Sequence, residues 1–144
     1  MRDYYRLEDD AGGRYWVFRL GHYDEESEDF LGYSDEPGEG KGHGFNVNYP
    51  LPLGTAWNEY RKALAEALDI IRRFSPPAIV VALGLDTFAG DPMTRFGIET
   101  GDYLEMGRDI RSLGIPVLTV LEGGYAVDAI GRNAVAFLRG VDGQ

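Results

Sequence analysis

Two short strings hold the side chains best suited to chemistry: "LGLDTFAGDPM" at residues 83–93 and "LEGGYAV" at residues 121–127. The first carries an apolar run straight into Asp86 and Asp91, and the second sets Tyr125 behind Glu122, Gly123 and Gly124. A carboxylate and a phenol at one crevice suit attack of a metal-bound water on a carbonyl. The carboxylate binds a hard or borderline cation, and the phenol hydrogen-bonds the oxyanion as it develops. The same residues have plainer readings. Asp86 reads equally as the cap of a turn or helix, Asp91 before Pro92 as a turn residue, and Tyr125 as a packed aromatic with its hydroxyl at the surface. Cysteine is absent, which excludes thiolate catalysis, disulfides and Cys-based zinc sites, so any metal must rest on Asp, Glu or His. The histidines, His22 and His43, stand in loop-like sequence, in neither an Asp-x-His nor a His-His arrangement.

Side chains reach one crevice only if regular elements carry them there. "AIVVALGL" at 78–85 is a continuous apolar, β-rich run of the kind found where helices cover both faces of a parallel strand, and "PVLTVL" at 116–121 is another. "GFNVNYPLP" alternates Phe45, Val47 and Tyr49 with polar Asn46 and Asn48, which predicts a half-buried strand ended by Pro50 and Pro52. Thr55 is placed to cap a helix whose Trp57, Tyr60, Leu64, Leu68 and Ile71 recur at intervals of three and four, until Pro76 and Pro77 forbid continuation. Thr100 opens a second helix through about Leu113, closed by Gly114, and a third runs from about Ala126 to Leu138 with Val127, Ile130, Ala134 and Phe137 on one face. The order strand, helix, strand, helix, strand, helix predicts an α/β fold with a parallel sheet. In such sheets ligands gather beyond the carboxyl ends of the strands. Asp86 and Tyr125 both follow strand ends there, and share a crevice if the two strands are neighbours.

At 144 residues and 16.0 kDa the chain suits one domain with a real core. Residues 1–44 read as a divergent, loop-rich segment with a strand at Tyr15–Phe18, the acidic run "YDEESED" and the alternating "GEGKGHG"; residues 45–144 read as the α/β core. The glycines at 38, 40, 42 and 44 lack both the Gly-Lys-Ser/Thr ending and the strand-to-helix setting of a phosphate loop. A net charge of −10 repels nucleic acid and favours cationic small molecules by steering. No apolar stretch approaches the roughly 20 residues needed to cross a bilayer, and the opening "MRDYYRLEDD" is too acidic and polar for a signal peptide. The expectation is a soluble cytoplasmic protein with neither nucleic acid nor membrane as partner.

"GFNVNYPLPLGT", "LGLDTFAGDPM" and "EGGYAVDAIGRN", in that order, resemble consecutive motifs of the histone deacetylase superfamily, closest to its bacterial acetylpolyamine amidohydrolase branch. The resemblance runs from about Phe30 to Gly140, and "DFLGYSDEPGEGKG" is similar to the loop before the first motif. It implies an arginase-deacetylase-like sheet with helices on both faces, represented here by about its C-terminal half. It also implies zinc-dependent hydrolysis of acetyl-lysine-like or acetylpolyamine amides. By position, Asp86 falls on a metal-ligating aspartate and Tyr125 on the tyrosine that polarises the substrate carbonyl. Phe30 would line the acyl tunnel, and Met93, Gly123 and Gly124 would border the pocket. The family's remaining metal ligands and its histidine pair come from the half that precedes this match, so the resemblance implies an incomplete site. Three readings follow: an amidohydrolase completed by a second chain or another copy, a non-catalytic binding module, and a self-associating structural α/β unit. The partners expected are a cationic acetylated small molecule or peptide, a chain supplying the missing half, and the chain itself as a homodimer or larger oligomer.

Overall fold

The computed structural model describes residues 45–144 together with the backbone of two short strands, β1 (Arg6–Glu8) and β2 (Arg14–Trp16). The two strands pair antiparallel, Leu7 opposite Tyr15. The strand expected at Tyr15–Phe18 overlaps β2; its last two residues, with His22, Phe30, His43 and the acidic and glycine-rich runs, lie outside the described residues.

The rest is built from α1 (Trp57–Phe74), β3 (Ile79–Leu83), α2 (Thr100–Arg111), β4 (Val117–Leu121) and α3 (Val127–Asp142). β3 and β4 pair parallel in register, Ile79 opposite Val117 and Leu83 opposite Leu121. Parallel neighbours need a crossover connection, and the segment carrying α2 supplies it. The fold is therefore α/β, as the apolar runs predict. One face of the sheet turns Ile79, Val81 and Leu83 onto a core of Tyr60 and Leu68 from α1, Tyr103, Met106 and Ile110 from α2, and Ala134 and Phe137 from α3. The other face is less covered among the described residues. Val80 and Ala82 lie opposite Leu118 and Val120 there, and the latter two are 60% and 43% exposed.

Each helix begins and ends for local reasons. α1 places Glu59 in its first turn and Arg72 and Arg73 in its last, matching the helix dipole, and closes on Ser75 in the left-handed region at φ 54° before the two prolines. α2 opens with a capping box: the Asp102 carboxylate accepts the Glu99 N–H at 2.8 Å, and the Glu99 side chain accepts the N–H of Asp102. Arg61 on α1 donates twice to the Asp109 carboxylate on α2, both at 2.8 Å. The Thr100 hydroxyl reaches Asn133 Oδ1 on α3 at 2.7 Å. α2 and α3 pack with Gly107 against Gly140. A Cβ on Gly107 would lie 2.8 Å from the Val141 nitrogen and run into the Phe137 carbonyl oxygen, so these helices meet backbone to backbone.

Three local expectations are corrected. Residues 45–50 form no strand, and Phe45 and Val47 are 59% and 37% exposed. A strand exists through its hydrogen-bonded neighbour, and no described strand lies alongside this segment. Thr55 does not cap α1: Ala56 is the N-cap, and the Thr55 hydroxyl donates to the Pro52 carbonyl at 2.7 Å, closing the preceding turn. Thr100 opens α2 as expected, with Glu99 as the N-cap. Val127, placed on the buried face of α3, is 81% exposed because the helix begins there, before its apolar stripe of Ile130, Ala134 and Phe137 reaches the core. No helix among the described residues is long and apolar enough to cross a membrane.

Candidate functional site

The site begins where β3 and β4 end side by side. The ladder continues past both strands, with Glu122 N–H donating to the Leu83 carbonyl at 3.0 Å and Leu85 N–H to the Gly123 carbonyl at 2.8 Å. Asp86 is thereby laid against the Gly123 main chain. It is 3% exposed, and a Cβ on Gly123 would run into its carboxylate, 2.9 Å from Cγ. At Gly124 the backbone turns through φ +134°, and a Cβ would stand 2.8 Å from that of Leu85. Two glycines in succession let the loop before Tyr125 lie flat on the Asp86 turn.

Below the turn, the Thr87 hydroxyl lies 3.0 Å from the Tyr103 hydroxyl, and Tyr103 reaches the Leu85 carbonyl at 3.3 Å. The Thr94 hydroxyl donates to the Asp86 carbonyl. Burial raises the pKa of the Tyr103 phenol, and the charges of Tyr60, Asp86 and Asp91 act in the same sense, against the hydrogen bond from Thr87. Burial also raises the Tyr60 phenol, with Asp86 adding to it. Asp86 thus stands over two phenols that stay neutral.

Asp91 does more than the turn residue its sequence predicts. Its Oδ1 accepts the Met93 N–H at 2.9 Å, the expected turn bond. Its Oδ2 accepts the N–H groups of Tyr125 at 2.6 Å and Ala126 at 3.1 Å, 34 and 35 residues away. The N-cap Ala126 has no side chain to offer, and the Asp91 carboxylate stands at the α3 N-terminus, where the helix dipole favours an anion. Sequence reasoning missed this contact.

The structure brings Asp86, Gly123, Gly124 and the main chain of Tyr125 together, as expected from adjacent strand ends. Tyr125 and Met93 are 48% and 52% exposed. Phe30, expected to line a tunnel, is not among the described residues. A hollow lined by Arg111, Gly114, Ile115, Val117 and Val141 lies at the opposite, amino-terminal end of β4.

Residues 22–141 match the histone deacetylase domain. The chain belongs to the histone deacetylase family. Among its relatives, acetylpolyamine amidohydrolase 1 of Pseudomonas aeruginosa is 50% identical over 114 residues, covering 79% of this chain and 33% of the relative. The acetylpolyamine amidohydrolase of Mycoplana ramosa is 46% identical over the same length, covering 79% and 33%. The crystal structure of acetylpolyamine aminohydrolase from Burkholderia pseudomallei superposes with a TM-score of 0.72 at 37% identity, over 76% of this chain and 32% of that one. The chain spans about a third of the length of the curated relatives it matches. Its α/β fold is the deacetylase fold over that third.

The deacetylase family implies a zinc ion, which the described residues do not fit by themselves. Among them no three His, Cys, Asp or Glu side chains converge. Both oxygens of Asp91 are taken by backbone amides, which leaves Asp86 as the single candidate ligand at the crevice. A zinc site needs three protein ligands or more.

Proposed function

We propose that this chain is part of a deacetylase-type amidohydrolase acting on acetylated cationic amines, either acetylpolyamine or acetyl-lysine-like. Tyr125 would donate its phenol O–H to the amide carbonyl oxygen as negative charge develops. Asp86 would be one ligand of a zinc ion, with the other ligands drawn from a second chain or from another copy. Met93, Gly123 and Gly124 would border the acyl pocket, and Phe30 would line the approach to it. The observation that carries this reading is the contact of the buried Asp86 carboxylate with Gly123, two residues before Tyr125, at the paired strand ends. A net charge of −10 supports a cationic substrate. The acetylpolyamine amidohydrolases among the relatives point to the same substrate class.

A second reading has an observation of its own. The lack of any convergent group of three His, Cys, Asp or Glu among the described residues suits a non-catalytic binding or self-associating module derived from a deacetylase. Zinc titration of metal-stripped protein, alongside turnover of an N-acetylated polyamine, separates the two. The enzyme reading expects the monomer to bind zinc no tighter than a surface site. Tight zinc and turnover should appear together on assembly and be lost together in Asp86→Asn, while Tyr125→Phe should lose turnover alone. Assembled protein that binds neither zinc nor substrate overturns the enzyme reading.

A further inference from the structure

Asp91 is 6% exposed, and its carboxylate is shared between two loops far apart in the chain. One oxygen holds the Met93 amide; the other holds the amides of Tyr125 and Ala126. These last two belong to the peptide groups on either side of the Tyr125 Cα, so a single oxygen fixes the direction in which Cβ leaves the main chain. The neighbouring main chain is held through its carbonyls, Gly123 by the Leu85 N–H at 2.8 Å and Tyr125 by the Val127 N–H at 3.0 Å, while the two amides themselves are held by Asp91. Gly124 at φ +134° has no side chain to lock it, and α3 begins only at Val127 behind an N-cap with no side-chain bond.

We propose that Asp91 is a positioning residue that sets the spacing between the Tyr125 loop and the Met93 loop. It would thereby hold the carbonyl-polarising phenol at a fixed offset from the pocket border. The functional half of this proposal rests on the roles given to Tyr125 and Met93 above; the clamp itself does not. The chemistry requires a carboxylate. Only a side chain with an acceptor oxygen on each side of its terminal carbon serves both loops, and charge strengthens bonds to backbone N–H groups. Asparagine offers an acceptor on one side only and turns an N–H donor toward an N–H on the other.

Residue-resolved amide hydrogen exchange on the intact chain tests the clamp. In the wild type the Tyr125 and Ala126 amides are expected to be protected although both lie outside helix and strand. Asp91→Ala should speed exchange at Met93, Tyr125 and Ala126 by about tenfold or more, while Val81 and Val120 in the ladder change less than about twofold. Asp91→Asn should restore protection at Met93 or at the Tyr125–Ala126 pair, never at both. Rapid exchange at Tyr125 and Ala126 in the wild type overturns the clamp even if every variant fails to fold, as does full protection in Asp91→Asn. With turnover as a further readout, Asp91→Ala should lower kcat about tenfold with KM within about threefold, and add little in a Tyr125→Phe background. Equal losses in both backgrounds overturn the positioning role. A wild-type protein without turnover counts against the deacetylase reading, and the exchange result then decides the clamp alone.

Discussion

Gly124, just before Tyr125, is a position from which a side chain is excluded twice over. Its φ of +134° is one that L side chains rarely adopt, and a Cβ would meet the Leu85 side chain at 2.8 Å. Gly124→Ala is expected to destabilise the fold by about 1–3 kcal/mol through strain and crowding together. Tyr125→Phe, by contrast, removes a hydroxyl from a ring 48% exposed and should change stability by no more than about 0.5 kcal/mol. Thermal unfolding of the two variants checks the pair. A Tyr125→Phe loss as large as that of Gly124→Ala would mean that the phenol supports the fold. Asp91 shows why the site was only partly legible in the sequence. Aspartate before proline reads as a turn residue, and the Met93 bond bears that out. Nothing local announces that the other oxygen serves a loop 34 residues on. That the Asp86 turn meets the loop before Tyr125 was legible because each follows an apolar strand-like run, and the parallel pairing of those runs sets their ends side by side.

The elements themselves were legible wherever periodicity and tertiary burial agree. Tyr60 and Leu68 on α1, and Ala134 and Phe137 on α3, are buried as their spacing predicts. β3 and β4 follow from uninterrupted apolar runs. The alternation at 45–49 fails for a different reason: two-residue periodicity marks a segment able to enter a sheet, while entry depends on a neighbour that local sequence does not encode. The helices also carry a titration signature. Tyr60 on α1 and Tyr103 on α2 have pKa values raised above the ordinary 10.0 by burial foremost. Both phenols are neutral in the folded protein where the unfolded chain has begun to ionise. Their stabilising contribution is full below about pH 10 and is lost as pH climbs toward the raised values, at about 1 kcal/mol per pH unit for each phenol. Denaturant unfolding at pH 9, 10 and 11 should show a falling midpoint that flattens in Tyr60→Phe. An unchanged slope in that variant would remove Tyr60 from the account.

For the whole molecule, the less covered face of the sheet matters most. Leu118 and Val120 are 60% and 43% exposed, and exposed apolar area is unfavourable by roughly 25 cal/mol per Å². We expect the face to be buried by self-association, with a two-fold arrangement favoured. Light scattering across dilution should give more than the 16.0 kDa of one chain; that mass at every concentration would count against assembly. The same face sets how assembly responds to its solvent. Copies carrying a net charge of −10 repel one another, while the apolar attraction between them is short-ranged and indifferent to screening. Raising ionic strength from about 0.01 M to about 1 M shrinks the Debye length from roughly 30 Å to roughly 3 Å. The repulsion fades and the attraction stays, so added sodium chloride should tighten association, opposite to the behaviour of a complex held by ion pairs. A mass that falls as salt rises would show that charge pairing, not the face of β4, joins the copies.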